Sequence, residues 1–196
     1  MDKLSYSWGL LMGSQLKGMG VKELDSADFK NGVTAAFNGE EPRISIEEAQ
    51  KLINGYLGEL QQKAEKLARE AGEKFLAGNR SKENVKETPS GLQYVVEKEG
   101  EGAQPGAEDE VTVHYTGQLL GGTVFDSSVN RGEPATFPLN RVIPGWTEGV
   151  QLMKEGAKYR FFIPSDLAYG AQGVPNAIPP HSTLIFDVEL IKVVKK

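Results

Sequence analysis

Val142-Ile143-Pro144-Gly145-Trp146 runs directly into a short amphipathic segment, residues 147–153. The Pro-Gly pair and the apolar spacing after it predict that a short helix begins here, with the tryptophan in its first turn. Because exposing so large an apolar ring is unfavourable, a tryptophan at this position either anchors a core or forms the floor of a pocket. We interpret Trp146 as a pocket floor, since neighbouring segments supply aromatic and aliphatic side chains for its walls.

The composition excludes several classes of function. The 196 residues carry 22 Lys and Arg against 27 Asp and Glu, and this net charge of −5 does not favour a nucleic-acid partner. There are no cysteines, so disulfides and thiolate sites are excluded. The sequence contains no apolar run that could span a bilayer and no signal-peptide pattern. We therefore expect a cytoplasmic protein, or a periplasmic or outer-membrane-associated one if a signal peptide has been removed.

The sequence before residue 88 predicts helices. Only Pro42 of the ten prolines lies there, and apolar residues recur at helical spacing. The pattern predicts one helix that ends at residues 18–20, a second over 27–37, and a third that begins at a capping box formed by Ser45 and Glu48. This third helix should continue for about 30 to 35 residues, roughly 50 Å. Its second half is polar, which is typical of a spacer.

The first two helices are too short to form a core of their own. We expect two copies of the chain to pool their apolar faces in a homodimer; the alternative is that these helices fold back on the rest of the same chain. The predicted organisation is an N-terminal helical dimerisation domain (1–44), a long linker helix (45–87) and a third domain (88–196). Residues 78–90 are polar and predict a frayed helix end followed by a linker.

From residue 88 onward the pattern changes to β-structure. Nine of the ten prolines lie here, between short runs of β-branched and aromatic residues. The predicted strands are residues 92–96, 111–116, 123–126, 135–139, 158–163 and 183–194. One face of the second strand is apolar through Val111, Val113 and Tyr115. Together with the short helix at Trp146, these strands predict an α+β domain with an antiparallel sheet covered by that helix.

The residue types do not favour bond-making chemistry. Asp126, Ser127 and Ser128 lie one strand away from His114, but the chain lacks a Gly-x-Ser-x-Gly motif, so a serine hydrolase is not favoured. The two histidines are not at metal-ligand spacing, and we interpret His181 as a residue that shapes a loop. No glycine motif for phosphate precedes a helix. We therefore predict no metal and no cofactor.

The remaining candidates are mostly apolar, and each of them could instead be plain core. They are Tyr115, Phe125, Phe137, Val142, Ile143, Trp146, Tyr169, Ile178 and Phe186. Asp126 differs, because a carboxylate directly after an apolar strand is unfavourable unless a polar group meets it. The alternative for Asp126 is a turn cap in front of Ser127 and Ser128.

Six blocks of sequence, in order, resemble the FKBP-type peptidyl-prolyl isomerases. They are residues 113–117 (Val-His-Tyr-Thr-Gly), 122–128 (Gly-Thr-Val-Phe-Asp-Ser-Ser), 142–146 (Val-Ile-Pro-Gly-Trp), 168–170 (Ala-Tyr-Gly), 178–180 (Ile-Pro-Pro) and 184–190 (Leu-Ile-Phe-Asp-Val-Glu-Leu). The three-helix N-terminal layout, with Ser-Tyr-Ser-Trp-Gly at residues 5–9, is similar to the bacterial macrophage infectivity potentiator (Mip) and twenty-two-kilodalton FKBP branch.

The resemblance implies a half-barrel antiparallel sheet wrapped on a short helix, with a proline pocket between them. The catalytic residues that it implies are Tyr115, Phe125, Asp126, Ile143, Trp146 and Tyr169, and the substrate-binding residues are Phe137, Val142, Ala177, Ile178 and Phe186. Among these, the Ile143 N–H would donate to a substrate carbonyl. Ala135 and Ala177 stand where many members carry larger residues, which widens the rim. Macrolide FKBP inhibitors are implied as ligands.

The function that follows is isomerisation of X-Pro bonds in protein folding. Rotation of a peptide bond has a barrier of about 18–20 kcal/mol and makes no new bond, so an apolar pocket suffices without a nucleophile. The expected partners are proline-containing peptides and unfolded proteins, held by a V-shaped dimer with chaperone activity. The alternative is a chaperone or peptide-binding module in which isomerase activity is incidental.

Overall fold

The computed structural model describes residues 1–175 and 177–195. Two compact units divide the chain inside its longest helix, between Ala64 and Glu65. No helix among these described residues is long and apolar enough to cross a membrane. The N-terminal helical region and the antiparallel sheet with its short helix confirm the predicted α+β fold class.

The first unit contains three predicted helices: α1 (Lys3–Gly18), α2 (Ser26–Asn38) and the first half of α3 (Ile46–Arg80). Each begins at a polar cap that satisfies free backbone N–H groups. Asp2 and Asp25 cap α1 and α2, and the Ser45 hydroxyl accepts the Glu48 N–H at 3.1 Å at the start of α3. No residue of α1 or α2 is buried, and large apolar side chains on both helices, among them Trp8, Leu11 and Phe37, are exposed in the described chain.

The second unit is built on one antiparallel sheet. Its strands are β1 (Lys86–Glu87), β2 (Gln93–Lys98), β3 (Glu110–Leu119), β4 (Val124–Ser127), β5 (Ala135–Pro138), β6 (Lys158–Ile163) and β7 (Leu184–Val194). The order across the sheet is β1-β2-β6-β7-β3-β4, and β5 pairs with the first half of β3. Short helices α4 (Ser128–Arg131) and α5 (Pro144–Val150) complete the unit. Val111, Val113 and Tyr115 all point into the core, as the alternation predicts.

Helix α5 lies unusually close to the sheet because two of its residues are glycines. A Cβ atom on Gly145 would lie 2.4 Å from the Ile163 side chain, and one on Gly149 would lie 2.7 Å from the Phe161 ring. These distances are shorter than any van der Waals contact, so only glycine permits this approach. The close approach brings Trp146 onto the sheet between β3 and β7.

The second half of α3 packs on the opposite face of the same sheet. Its Phe75 ring contacts the Phe162 ring at 5.7 Å, while Phe161, one residue earlier, faces α5. Buried Asn79 donates to Gln93 at 3.0 Å. The prediction of a frayed end and linker over residues 78–90 is therefore wrong in part. The helix ends at Arg80 and the chain then forms β1, which pairs with β2.

Candidate active site

The floor of the candidate site is the indole ring of Trp146, which is only 4% exposed. Three aromatic rings meet it edge-on: Tyr115 at 5.2 Å, Phe186 at 5.3 Å and Phe137 at 5.9 Å between ring centroids. Phe125 extends the wall by contacting Phe186 at 5.5 Å. Perpendicular ring packing fixes the orientation of each ring. The structure thus brings five of the predicted residues into one aromatic cage.

The aliphatic wall comes from the segment that leads into α5. Val142 and Ile143 are half-buried and pack against the core, directly before Pro144 at the first helical position. The Ile143 carbonyl accepts the Trp146 N–H at 2.9 Å, which begins the helix. The Ile143 N–H itself has no acceptor among the described residues. It remains available to a carbonyl of a bound ligand.

The loop after Tyr169 contributes Ile178, which is buried against the core. Val174 and Ile178 exchange two backbone hydrogen bonds, of 2.7 and 2.9 Å, and so form a tight turn. Gly173 is required in this turn, since its φ is +60° and a Cβ atom would lie 2.3 Å from the Ile178 carbonyl. An apolar cavity of about 300 Å³ lies beside Ile178, and the exposed Ala177 forms part of its lining.

The polar side of the site is a hydrogen-bonded group of three side chains. The Asp126 carboxylate accepts from the Tyr115 hydroxyl and from the Arg131 guanidinium. Arg131 also donates to the Tyr115 hydroxyl at 3.1 Å and lies over its ring. The sequence did not identify Arg131 as a member of this group. The only indication in the sequence is its position: Arg131 is a basic residue five positions after Asp126, a carboxylate that needs a polar partner.

The electrostatics keep Asp126 ionised. Burial by itself would raise the pKa of this carboxyl, but the hydrogen bonds from Tyr115 and Arg131 outweigh it and hold the pKa below its ordinary value. For Tyr115, burial and the neighbouring carboxylate raise the pKa of the hydroxyl. At neutral pH Asp126 and Arg131 are therefore charged and Tyr115 is neutral, and Asp126 is suited to orient dipoles rather than to donate a proton.

Tyr169 lies at the mouth of the site and is 39% exposed. Burial raises the pKa of its hydroxyl, and the charge of Asp126 adds to this effect. No described residue hydrogen-bonds this hydroxyl, so it can donate to a bound ligand. Ala135 is half-buried on β5 opposite Val113 and packs against the core.

A hydrolytic site is absent from this region. His114 lies 3.1 Å from the Ser128 hydroxyl, but that hydroxyl is fully buried and is held by the backbone of Tyr115. The nearby Asp126 binds Tyr115 and Arg131 instead of the histidine. Over residues 1–175 and 177–195, no group of three or more His, Cys, Asp or Glu side chains is placed to hold a metal. The geometry suits binding and orientation of an apolar ligand.

Comparisons with known proteins agree with this geometry. A family model described as FKBP-type peptidyl-prolyl cis-trans isomerase matches residues 101–191, and one described as a domain amino terminal to such isomerases matches residues 1–96. The FKBP-type isomerase FkpA of Aeromonas hydrophila is 50% identical over 99% of this chain and 76% of its own length. The outer membrane protein MIP of Legionella longbeachae is 41% identical over 99% of this chain and 86% of its own.

Solved structures extend this similarity to the fold. The crystal structure of FkpA from Escherichia coli superposes with a TM-score of 0.81 and is 38% identical in sequence. The match covers 97% of this chain and 92% of that one, so it includes both the helical region and the sheet.

Proposed function

Because the chain belongs to the FKBP-type peptidyl-prolyl cis-trans isomerases, we propose that the Trp146 cage is the place where it rotates X-Pro bonds. The observation that carries this proposal is the aromatic cage itself, closed on three sides around one indole ring. A proline ring is apolar and flat enough to lie on the indole. The buried cage then surrounds the preceding amide with low-polarity side chains.

Isomerisation requires only a modest lowering of the rotation barrier by the protein. Twisting the amide removes its resonance and its charge separation, so an apolar pocket favours the twisted state over the planar one. Each 1.36 kcal/mol taken from the barrier is a factor of about ten in rate, so a thousandfold acceleration needs only about 4 kcal/mol. Desolvation in the cage and one or two directed hydrogen bonds are sufficient for this amount.

Three polar groups surround the cage, and we assign them orienting roles. The free Ile143 N–H donates to a substrate carbonyl, and the Tyr169 hydroxyl donates from the mouth of the site. The ionised Asp126, fixed by Tyr115 and Arg131, sets the electrostatic field at the pocket edge. None of these roles transfers a proton.

Nuclear magnetic resonance tests this assignment on the wild-type chain. The Trp146 indole N–H is buried and finds no hydrogen-bond partner among the residues that the structure describes, so its resonance should respond to a ligand in the cage. An Xaa-Pro peptide should shift this resonance, leave that of Trp8 in α1 unchanged, and show accelerated cis-trans exchange. Acceleration without a shift at Trp146 would place catalysis elsewhere. Macrolide FKBP inhibitors should compete for the same signal.

The first unit supports a second proposal, that the chain is a homodimer. A mostly apolar groove of about 720 Å³ runs between α1 and α2 and is lined by Trp8, Met12, Phe29, Val33 and Phe37 among others. Because isolated helices of 13 to 16 residues are marginal in water, these two need a partner that covers this surface. We propose a second copy of this chain, since both helices present the same kind of apolar face.

We also propose that this dimer has chaperone activity; the alternative is a chaperone or peptide-binding module in which isomerase activity is incidental. The exposed apolar side chains of α1 and α2 favour chaperone activity. The test compares refolding of a proline-limited protein by the whole chain and by a fragment that begins at Glu65, because the second half of α3 packs on the sheet. A lower rate with the fragment, but equal activity on short peptides, supports a chaperone role. Equal rates on both substrates would remove it.

The cellular location is the last part of the proposal. The name of the Legionella relative places that protein in the outer membrane. This similarity favours the periplasmic or outer-membrane-associated alternative over the cytoplasmic one for the present chain. Fractionation of the source cells with an antibody against the chain decides between the two.

A further inference from the structure

The loop that carries Ile178 is closed at its base by one backbone hydrogen bond. The His181 N–H donates to the Gly170 carbonyl at 2.8 Å, directly beyond Tyr169. The Ser182 hydroxyl adds a bond to the Pro179 carbonyl at 2.6 Å. Whatever holds residues 181–183 in place therefore also holds one end of this pocket loop. We call residues 181–183 the loop neck.

His181 adopts a backbone conformation that needs support. Its φ of +57° lies in the left-handed region, and among the described residues it is the only non-glycine with a positive φ. Side chains with a Cβ atom rarely adopt this region, and they remain there only when surrounding contacts hold them. The neck therefore depends on its neighbours.

Those neighbours belong to the second half of α3. The Arg69 guanidinium reaches the His181 ring, with Nη2 at 3.1 Å from Nδ1 and 3.2 Å from Nε2. One turn later, Gly72 lies so close to buried Thr183 that a Cβ atom would be 2.4 Å from its hydroxyl. Two successive positions on one helix face thus contact the first and the last residue of the neck.

We propose that Arg69 and Gly72 are positioning residues of the isomerase: by holding the loop neck they keep Ile178 in the pocket. Neither residue touches the aromatic cage. In this role the second half of α3, whose sequence predicts a spacer, forms part of the support of the active site. The proposal rests on the location of catalysis in the Trp146 cage.

Replacement of Arg69 tests the proposal in the full-length chain. In Arg69→Ala the neck loses a hydrogen bond, so substrate binds only the fraction of molecules whose loop is in place. KM for a short Xaa-Pro peptide should rise by about two- to tenfold while kcat stays within about twofold. Arg69→Lys retains a donor and should restore part of the effect. Lys66→Ala is the matched control, since Lys66 pairs with Glu70 on the exposed face.

A double-mutant cycle separates positioning from general destabilisation. Glycine accepts a φ of +57° without strain, so His181→Gly should make the neck independent of Arg69. Arg69→Ala in that background should then leave KM within about twofold. Amide exchange at Ile178 and His181 should be faster in the single Arg69→Ala variant than in wild type.

Three results would overturn the proposal. They are an unchanged KM in Arg69→Ala, a fall in kcat alone, or the same change of KM in the His181→Gly background. The wild-type titration of Trp146 with peptide is recorded first. A failure there concerns the location of catalysis, whereas a failure of the cycle concerns only Arg69 and Gly72.

Discussion

Asp126→Asn is the substitution that most clearly separates an orienting carboxylate from an acid or base. The amide has the shape of the carboxylate but carries no charge, so Arg131 loses its ion pair and Tyr115 loses a charged acceptor. A charge-assisted hydrogen bond is roughly twice as strong as a neutral one, whose net contribution is about 1 kcal/mol. The Asp126 side chain is 43% exposed, and solvent screening reduces the difference. A loss of about 1 kcal/mol corresponds to about a fivefold fall in kcat/KM.

The pH dependence follows from the direction of the pKa shift. The pKa of Asp126 lies below its ordinary value, so the carboxylate stays ionised in the folded protein throughout the neutral range. Its contribution to stability is present above the unfolded pKa and is lost only as the pH falls through the lower folded value. Between pH 5 and 8, wild-type kcat/KM should therefore show no step from this group.

The assay is isomerisation of a short Xaa-Pro peptide, followed over this pH range for wild type and Asp126→Asn. Glu133→Gln is the control, because it removes one negative charge from an exposed position seven residues away in the sequence. The control should match wild type. If Asp126→Asn abolished activity, and the wild-type profile followed a single ionisation between pH 5 and 8, proton transfer would replace the orienting role.

Three further predictions concern packing and assembly. Gly149→Ala places a methyl group against Phe161 and should lower the free energy of unfolding by about 1–3 kcal/mol in urea titrations. Gly78→Ala, in open space on α3, should instead leave it unchanged or raise it slightly, so equal losses in both variants would contradict the close approach of α5. Phe37→Glu, at a side chain that is 90% exposed, should convert the proposed dimer to the 21.3 kDa monomer in sedimentation. A wild-type chain that sediments as a monomer at micromolar concentration would remove the dimer proposal. The Glu65 fragment should retain full activity on short peptides, whereas a fragment from Thr88 should be less stable because Phe162 loses Phe75.

Much of the fold could be predicted because its signals are local. The Ser45 cap of α3 and the alternation along β3 each report the environment of neighbouring residues, and the structure shows the Ser45 bond to the Glu48 N–H and the buried face of β3. Strand β6 was predicted with its observed bounds, since Pro164 ends it abruptly. The apolar residues of the cage could be identified as site candidates because the sequence contains no hydrolase, metal-binding or phosphate-binding motif that would form a competing site.

Two features of the site depend on contacts that no local pattern reports. Arg131 is a charged residue in a surface turn, and such residues are ordinarily solvated; the one-turn helix α4 turns its side chain back to Asp126. The packing of α3 on the sheet uses Gly72 for close approach and the amide of Asn79 for a buried hydrogen bond. Hydrophobic periodicity does not detect either residue type, so this half of the helix resembled a solvated spacer.

The central claim is that the Trp146 cage lowers the barrier to X-Pro rotation, and Trp146→Leu tests it most directly. Losing the aromatic floor should remove about half of the roughly 4 kcal/mol that a thousandfold acceleration needs, a fall in kcat/KM of about 30-fold. Trp8→Leu is the control, because Trp8 lies on α1 and should leave short-peptide activity unchanged. Circular dichroism confirms that both variants are folded before the rates are compared. A Trp146→Leu variant that is folded and isomerises the peptide at the wild-type rate would contradict the account.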